Sequence, residues 1–418
     1  MKVAIIGSGI SGLGCAYLLS KAHDVTLFEK NKSCGGHSRT IHVSIERETQ
    51  TVTQPVDTGF IVFNKRNYPH LTGLFDYLNI PYEKSDMSFG VSIKDAWLEY
   101  TSRNIFANWT NFLKPQFLRM LFEIIRFNRL GSRFLKNPTE ESLSEFLTRY
   151  GFSEWFRDYY ILPMGGAIWS CSTETMLGFP ARSFLRFFSN HGLLTINDQP
   201  QWYTVSGGSR TYIQKLLDTM PIRVKTSAAV TEVSKKDAQF EVLVNGKAEL
   251  FDQVVFACHA DQAVKIIQDK MSDEENILSA FSYQKNKVIV HQDKTFMPKR
   301  TSCWASWVYL SRTEKDKREA MSLSYWMNNL QNFESDAPVI VTLNPDTQPD
   351  PATILDAHEF AHPIFDEAAV TAQAQIDTIQ GTRGLWFCGA YQRYGFHEDG
   401  LLSAVNVARK IGVDIPWE

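Results

Sequence analysis

The sequence predicts an α/β fold that begins with a strand, a helix and a second strand around a parallel sheet. An apolar run at residues 3–6 has the composition of a buried strand. A glycine-rich turn and a helix-like stretch at residues 13–20 follow it directly. A second strand is expected at residues 24–28, and it ends in the acidic residue Glu29.

The turn carries the spacing GxGxxG in Gly7, Gly9 and Gly12. The first glycine permits a tight turn, the second lets the backbone approach a pyrophosphate, and the third lets helix and strand pack closely. The helix N-terminus then stabilises the phosphate charge. Glu29 follows at about the 20-residue distance at which an acid accepts hydrogen bonds from a ribose. Together these features predict a dinucleotide-binding site.

Further glycines indicate which dinucleotide binds. The pair Gly35 and Gly36 follows soon after Glu29, and a domain that binds only a nicotinamide cofactor has no need of it. Near the end of the chain, Gly389 follows an apolar run and Gly400 stands before an apolar helix at residues 401–411. The N-terminus of such a helix can stabilise negative charge on a reduced flavin. These features favour FAD.

With these motifs the chain resembles the FAD-dependent amine oxidase and phytoene desaturase superfamily. More narrowly, it is similar to predicted NAD/FAD-binding oxidoreductases associated with cyclopropane-fatty-acid-type methyltransferases. The segments that carry the narrower resemblance span most of the chain: residues 57–64, 87–89, 126–129, 163–170, 258–263, 343–345 and 394–400. Amine oxidases usually have Arg after the glycine pair, whereas this chain has His37 there and Arg39 two positions later. They usually have an acid where this chain has Ala390, so amine oxidation does not follow from the resemblance.

The resemblance implies a glutathione-reductase-type FAD-binding Rossmann fold with an inserted substrate domain of mixed sheet and helices. We expect the flavin domain in residues 1–65, 200–270 and 380–418. The substrate domain then takes residues 66–199 and 271–379, with a helical subdomain at about 104–160. Non-covalent FAD is expected to contact Gly7, Gly9, Ile10, Ser11, Gly12, Glu29, Lys30, Gly35, Gly36, His37, Ser38, Arg39, Thr58, Gly59, Phe60, Val230, Gly389, Asp399, Gly400 and Leu401.

Candidate catalytic residues are Tyr394, His397 and Glu398, which we place in the loop before the last helix. They could position a substrate or move a proton, or they could simply hold the loop through hydrogen bonds. Trp169 and Ser170 could line the substrate pocket, although core packing explains them equally well.

The leading functional hypothesis is a flavin oxidoreductase that acts on an apolar substrate, in particular the fatty acyl chain of a lipid. It would remove or shift hydrogens near a double bond or a methyl branch. The first alternative is an amine or polyamine oxidase, which we expect to have an aromatic cage and an acidic pocket entrance. The second is a non-catalytic flavoprotein that acts as the partner of a lipid methyltransferase.

Residues 111–136 form a basic and aromatic block with the single acid Glu123. Such a helix could lie at an anionic membrane surface, or it could be an ordinary helix with a solvated basic face. No signal peptide is apparent, and no uncharged apolar stretch reaches the length of about 18 residues that a membrane span needs. We therefore expect a cytoplasmic protein, with peripheral contact at the inner face of the membrane as a further hypothesis.

Charge and cysteine content exclude several other classes. The chain has 43 basic and 46 acidic residues, a net charge of -3, which argues against nucleic-acid binding. Its six cysteines include no CxxC pair, so no structural zinc site is indicated. His358, Glu359 and His362 formally match the zinc motif HExxH, but Pro363 disfavours helical geometry at His362. We therefore expect no metal.

Overall fold

The computed structural model describes residues 1–93, 97–169, 173–190, 192–195, 199–311 and 322–418. The strands, in chain order, are β1 (Lys2–Ile6), β2 (Asp24–Phe28), β3 (Thr40–Arg47), β4 (Gln50–Asp57), β5 (Phe63–Asn64), β6 (Tyr82–Ser85), β7 (Phe89–Ile93), β8 (Leu98–Thr101), β9 (Trp202–Val205), β10 (Arg223–Lys225), β11 (Val230–Lys236), β12 (Gln239–Val244), β13 (Lys247–Phe251), β14 (Gln253–Phe256), β15 (Tyr283–His291), β16 (Trp307–Ser311), β17 (Ser322–Trp326), β18 (Ile340–Leu343), β19 (Ile354–Pro363) and β20 (Leu385–Phe387).

The α-helices, in chain order, are α1 (Ile10–Leu19), α2 (Pro69–Tyr77), α3 (Pro115–Phe134), α4 (Leu143–Arg149), α5 (Glu154–Phe156), α6 (Leu162–Trp169), α7 (Thr173–Leu177), α8 (Ala181–Asn190), α9 (Arg210–Thr219), α10 (Ala260–Ile266), α11 (Ser272–Ser279), α12 (Met327–Leu330), α13 (Glu367–Gln375) and α14 (His397–Ile411). A short π-helix at Arg157–Ile161 joins α5 to α6, and a 3₁₀ helix at Trp109–Leu113 precedes α3. No helix in the described ranges is both long and apolar enough to cross a bilayer.

A five-stranded parallel sheet in the order β10-β2-β1-β14-β20 forms the centre of the dinucleotide-binding unit. Ile5 of β1 pairs with Leu27 of β2 on one side and with Val255 of β14 on the other. These residues are fully buried, as expected for a parallel sheet that is covered on both faces. All five strands lie within the ranges that the sequence indicates for the flavin domain.

A second, seven-stranded sheet in the order β19-β15-β18-β17-β16-β7-β8 lies in the remaining ranges. Only β7 and β16 pair in parallel among its described strands. Strand β16 begins at Trp307, and a 3₁₀ turn at Thr301–Cys303 precedes it. The mixed sheet and its helices match the inserted domain that the resemblance implies.

Helices α3 to α8 pack against this sheet through a largely aromatic core. The buried apolar side chains of α3 are Phe117, Met120, Phe127 and Phe134, which recur at three- and seven-residue spacing and so lie on one side of the helix. The helical part runs to Asn190 and so extends beyond the expected limit near residue 160.

Residues 68–80 belong with the parallel sheet rather than with the second domain. Leu71, Leu74 and Phe75 of α2 are fully buried in the same cluster as Val3 and Leu13. The boundary expected after residue 65 therefore falls within a continuous core, and the flavin domain extends beyond α2.

The last helix begins at His397, four residues earlier than the expected residue 401. Glu398 therefore lies in the first turn of α14, where it is buried. Its two carboxylate oxygens accept the backbone N–H groups of His70 and Leu71 at 2.9 Å each, in the first turn of α2. One carboxylate thus joins the N-terminal ends of two helices and satisfies donors that a helix leaves unpaired.

We predict that Glu398 makes folding stability depend on pH. Burial raises its pKa from 4.5 to about 7. Because the folded-state pKa exceeds the unfolded one, the stabilisation is complete below pH 4.5 and is lost as pH rises through 7. Relative to Glu398→Gln, which cannot ionise, the wild type should lose ~2–3 kcal/mol of unfolding free energy across this range.

Thermal and urea unfolding of the apoprotein at both ends of this pH range would measure the difference. Glu275→Gln, at an exposed glutamate in the first turn of α11, is the matched control for loss of a charge. Parallel pH profiles for the wild type and Glu398→Gln would contradict the prediction.

Candidate FAD and substrate site

The first glycine turn follows directly from β1. Gly7 has φ +104°, a conformation that favours glycine. A methyl group on Gly12 would overlap the carbonyl oxygen of Gly7, so Gly12 allows α1 to approach the strand. Both glycines therefore have the roles that the sequence motif assigns to them.

Gly9 differs from these two because its missing side chain would meet nothing within 4 Å. The second glycine pair lies directly beside it. Gly35 N–H donates to the carbonyl oxygen of Ser8 at 3.0 Å. A Cβ atom on Gly36 would lie 3.1 Å from Gly9 Cα. The two loops thus form one surface of bare backbone at the N-terminus of α1, which is the setting that a pyrophosphate requires.

The N-terminus of α14 lies against the same place. A Cβ atom on Gly400 would be 2.8 Å from Ile10 Cγ2 and 2.9 Å from Ser11 Oγ. One turn further along α1, a Cβ atom on Gly14 would be 2.6 Å from Leu401 Cδ1. Two helix N-termini therefore meet at the carboxyl edge of the sheet, and their dipoles favour an anionic group there.

Glu29 and Val230 lie together at the end of β2. Glu29 is buried and accepts Ser8 N–H at 3.2 Å, Ser8 Oγ–H at 2.5 Å and Asn31 N–H at 2.8 Å. Ala228 N–H donates to the carbonyl oxygen of Glu29 at 2.8 Å, which places the start of β11 next to this acid. Lys30 follows Glu29 and is exposed. This arrangement fits the ribose and adenine end of FAD, since a carboxylate has further lone pairs to offer.

The segment after β4 packs on the second glycine loop. Phe60 N–H donates to the carbonyl oxygen of His37 at 2.8 Å, and Thr58 N–H donates to that of Arg39 at 2.9 Å. A side chain on Gly59 would overlap the His37 carbonyl oxygen. These contacts bring the expected FAD-binding segments 35–39 and 58–60 together.

Asp57 organises this junction, and it is not among the candidate site residues of the sequence. Its fully buried carboxylate accepts Thr40 Oγ–H at 2.6 Å, Ser209 N–H at 2.9 Å and Gln331 Nε2–H at 3.1 Å. Burial raises its pKa to about 6. The signal for this role was its position before Thr58 and Gly59, but its partners come from distant parts of the chain.

The side chain of His397 lies in a polar cluster, and the residue is not part of a loop. The Tyr212 hydroxyl oxygen lies 2.5 Å from His397 Nε2, Ser38 Oγ lies 3.0 Å from the same nitrogen, and the two hydroxyls also contact each other. The imidazole stacks on Phe60 with ring centroids 3.9 Å apart. Burial lowers its pKa to about 3, so it is neutral at physiological pH. These contacts favour the structural alternative for His397, and Tyr212 is a further residue that sequence reasoning missed.

His37 faces the edge strand β19 of the second sheet. It stacks on Phe360 at 4.6 Å and lies 5.2 Å from the ring of His362. Burial lowers the pKa of His362 to about 4 and holds that of His37 well below its usual range. Because β19 is extended, His358 and His362 do not have the helical placement that the HExxH zinc motif needs.

Arg39 also reaches β19. Its guanidinium forms a bidentate pair with Asp356 at 2.9 and 3.1 Å and donates to Thr58 Oγ1 at 3.2 Å. Arg39 thus joins the two domains instead of presenting an uncompensated charge to the first glycine turn.

The remaining candidates surround the start of α14. Asp399 is buried and accepts Phe396 N–H at 3.0 Å and Tyr394 N–H at 3.2 Å, so it caps its own helix. Gly389 N–H donates to Ser403 Oγ at 2.8 Å, and a side chain on Gly389 would overlap the Tyr391 ring. The Trp169 side chain and Ser170 lie outside the described part of the structure.

We predict that Gly9→Val abolishes dinucleotide binding without unfolding the chain. Gly9 has φ -66°, which valine tolerates, and the new side chain would occupy the open space that a pyrophosphate needs. The purified variant should lack visible flavin absorbance but retain the circular dichroism and melting temperature of wild-type apoprotein. Gly12→Val, which overlaps backbone, should instead destabilise the fold. Full flavin occupancy in Gly9→Val would contradict this placement.

Solved structures with the same fold confirm the architecture. A fatty acid isomerase from P. acnes is 15% identical with a TM-score of 0.69, and the match covers 98% of each chain. Cyclohexylamine oxidase from Brevibacterium oxydans is 14% identical with a TM-score of 0.71, covering 98% of this chain and 99% of that one. Wild-type putrescine oxidase bound to putrescine is 15% identical with a TM-score of 0.67, covering 98% and 99%. At these identities the likeness shows the fold alone.

No curated protein sequence matches the chain significantly. The family model described as flavin-containing amine oxidoreductase matches residues 10–357, which is most of the chain. The glycine surface at the two helix N-termini and the acid at the end of β2 fit the FAD that this family binds. The chain therefore belongs to the flavin-containing amine oxidoreductase family, and it is an FAD-dependent oxidoreductase.

Proposed function

We propose that this oxidoreductase acts on the fatty acyl chain of a lipid. The observation that carries the proposal is a pair of partly exposed aromatic side chains, Trp307 and Tyr325, at the margin of an apolar row that crosses the seven-stranded sheet and is buried beneath the helices α3 to α8. The residues that pair directly in successive strands are His358, Val288, Leu343, Leu323, Tyr309, Val91 and Tyr100. Directly paired residues share one face of a sheet. With strands about 4.8 Å apart, the row extends over about 29 Å.

The row begins beside the flavin domain. His358 packs edge-on against Phe360 at 4.6 Å, and Phe360 stacks on His37 of the second glycine loop. Trp307 and Tyr325 border the row, with ring centroids 5.0 Å apart, and both are partly exposed. The indole N–H of Trp307 is buried and has no hydrogen-bond partner in the described parts of the chain. Two partly exposed aromatic rings with one spare donor, next to a buried apolar row, suit an acyl chain that carries a carboxyl or ester oxygen.

Charge near α14 also favours an apolar substrate over an ammonium group. The two carboxylates there, Glu398 and Asp399, are committed to backbone N–H groups. On the side of the helical part, Phe187 stacks on Phe396 at 5.0 Å and lies 6.1 Å from Tyr394. Aromatic rings therefore border this helix end. Such rings accommodate an acyl chain or an ammonium group alike, so the preference for an apolar substrate rests on the two carboxylates that are already hydrogen-bonded.

FAD, when bound, supplies a two-electron acceptor that takes a hydride equivalent from a carbon atom. Dehydrogenation releases one proton in addition, and a positional shift of a double bond returns both hydrogens to the chain. His397 is neutral and already hydrogen-bonded to Tyr212, so we assign it to positioning. Of the three catalytic candidates, Tyr394 is the one that we propose to exchange a proton with the substrate.

Amine oxidation is the second candidate. The family description names amines, and two solved structures of this fold are amine oxidases by title, whereas a third acts on fatty acids. In this chain, the neutral histidines and Ala390 argue against amine oxidation. The third candidate, a non-catalytic partner of a lipid methyltransferase, has the resemblance of the sequence as its only support.

We predict that acyl lipids, and not polyamines, reduce the bound flavin. Anaerobic holoenzyme would be mixed with unsaturated phospholipids, the corresponding free fatty acids, or putrescine, and the loss of flavin absorbance followed. Lipid mass spectrometry would identify the product, including isomers formed without net reduction. Tyr394→Phe should slow turnover with substrate affinity unchanged, while Tyr77→Phe, at an exposed tyrosine of α2, should not.

Reduction by putrescine and by no acyl lipid would overturn the lipid proposal and favour amine oxidation. Copurification with a lipid methyltransferase, with no turnover of any lipid in the presence or absence of that enzyme, would favour the non-catalytic role.

We also predict that the flavin is FAD and is held without a covalent bond. Acid precipitation of the yellow holoenzyme should release the cofactor into the supernatant, where chromatography distinguishes FAD from FMN. Flavin that stays in the pellet, or FMN in the supernatant, would contradict this prediction.

A further inference from the structure

An exposed cluster of large hydrophobic side chains lies around the start of α3. These side chains take no part in the flavin site described above. We call it the apolar tip. Its most exposed members are Leu113 at 72%, and Phe106 and Trp109 at 68% each, followed by Phe122 at 63%. The tip consists of Trp97, Phe106, Trp109, Leu113, Leu118, Phe122 and Ile125. Concentrated exposure of this kind marks an interaction surface, whereas single exposed hydrophobic residues are ordinary.

Helix α3 has one buried face and one exposed face. Phe117, Met120 and Phe127 are fully buried against the helical core. Residues 118, 122 and 125 lie on the opposite face at the spacing of one helical side and are exposed. The sequence block 111–136 therefore holds two apolar stripes, of which packing explains only one.

The same outer face becomes basic toward the C-terminal end of α3. Arg129 and Arg133 continue the exposed side at positions i+4 and i+8 from Ile125, and both are exposed. Neither forms an ion pair with any residue that the structure describes. Arg129 stands about 6 Å along the axis from Ile125, at 1.5 Å per residue. This rise is close to the thickness of about 5–7 Å that lipid headgroups add on each side of the hydrocarbon core.

Exposed charge in this region is of one sign. Residues 97–136 include seven basic residues and only two acids, Glu99 and Glu123. Both acids are buried, at 0% and 1% exposure. Glu123 is satisfied by Arg119 at 3.2 Å and by Ser153 N–H at 3.0 Å. The chain as a whole has a net charge of -3, whereas the segment 97–136 has five more basic than acidic residues.

We propose that the apolar tip and the basic end of α3 together dock on an anionic phospholipid bilayer. The tip enters the interface between headgroups and acyl chains, and Arg129 and Arg133 contact the lipid phosphates. Aromatic residues such as Trp109 suit this depth because their rings are amphipathic. Charge complementarity commits the surface to an anionic bilayer, since Arg129 and Arg133 beside the apolar tip are exposed and have no ion-pair partner among the described residues.

The docking surface connects to the buried apolar row of the seven-stranded sheet. On the inner side of α3, Phe117 lies 6.0 Å from Tyr100, the last residue of the apolar row. Phe112 of the 3₁₀ turn contacts Phe117 at 5.6 Å and stacks on Phe106 of the tip at 5.1 Å. Aromatic contacts thus continue from the surface to the sheet. Docking is independent of the proposed substrate, because it requires only the outer face.

Holoenzyme would be sedimented with vesicles of phosphatidylcholine alone or of phosphatidylcholine with phosphatidylglycerol. We expect binding to the anionic vesicles that weakens as salt rises. The variant Trp109→Ser with Phe122→Ser should reduce this binding at least about tenfold at every salt concentration. Leu250→Ser, at an exposed leucine of β13 in the flavin domain, is the matched control and should bind as the wild type does.

A charge variant tests the second half of the surface. Arg129→Glu with Arg133→Glu should reduce binding to anionic vesicles about tenfold or more and remove most of the salt dependence. Lys215→Glu with Lys247→Glu, at exposed lysines in α9 and β13, controls for net charge. Arg119 and Arg126 are unsuitable for this test, because Arg119 pairs with buried Glu123 and Arg126 donates to the Tyr150 carbonyl oxygen.

Unchanged flavin absorbance in all variants would show that the fold is intact. Wild-type holoenzyme that ignores anionic vesicles at low salt would overturn the proposal. So would a self-association, measured by analytical ultracentrifugation, that is lost in the Trp109→Ser and Phe122→Ser variant while vesicle binding is not. Vesicle binding without any lipid turnover would leave docking supported and reject only the lipid substrate.

Discussion

The structure depends on the close packing of α1 against α14 at the carboxyl edge of the parallel sheet. Gly14 and Gly400 permit this approach, since a Cβ atom on either would lie under 3 Å from the other helix. With the helices in contact, their N-termini point to one place, where their N–H groups would face the same anionic group of a bound cofactor. The second glycine loop then covers this place from the side of Gly9. A single steric constraint therefore assembles the cofactor surface from the two ends of the chain.

This arrangement uses acidic side chains for structure at the point where an amine oxidase could use them for recognition. Glu398 caps α2 and Asp399 caps α14, while Asp57 binds the start of α9. Each is a buried carboxylate with a raised pKa that is satisfied mostly by neutral donors. The histidines nearby are neutral because burial lowers their pKa values. The result is a flavin environment with several polar groups but little net charge, which suits an apolar reactant.

The helical part, α3 to α8, has an inner side that packs on the sheet and an outer side that is exposed. Its inner aromatic side chains complete the core on the seven-stranded sheet, and its outer face carries the apolar tip and two exposed arginines. A basic amphipathic helix can bury its apolar side either in a protein or in a lipid interface. In α3, Phe117 and Phe127 account for the first possibility and Leu118 and Phe122 for the second. The proposed docking surface thus uses the face of α3 that the protein core leaves exposed.

Local sequence patterns determined the fold class, the first glycine turn and the FAD cofactor. Strand, turn and helix are adjacent in sequence there, and the need for each glycine follows from steric contacts within that motif. Only the tertiary structure decided the roles of the polar candidates. From the sequence alone, Glu398 and His397 are candidate catalytic residues in a loop. In the fold, their side chains contact His70 and Tyr212, which lie far away in the chain. Likewise, periodicity marks α3 as amphipathic, yet which stripe is exposed depends on the sheet beneath it. Hydrogen-bond partners and burial are long-range properties that no single segment encodes.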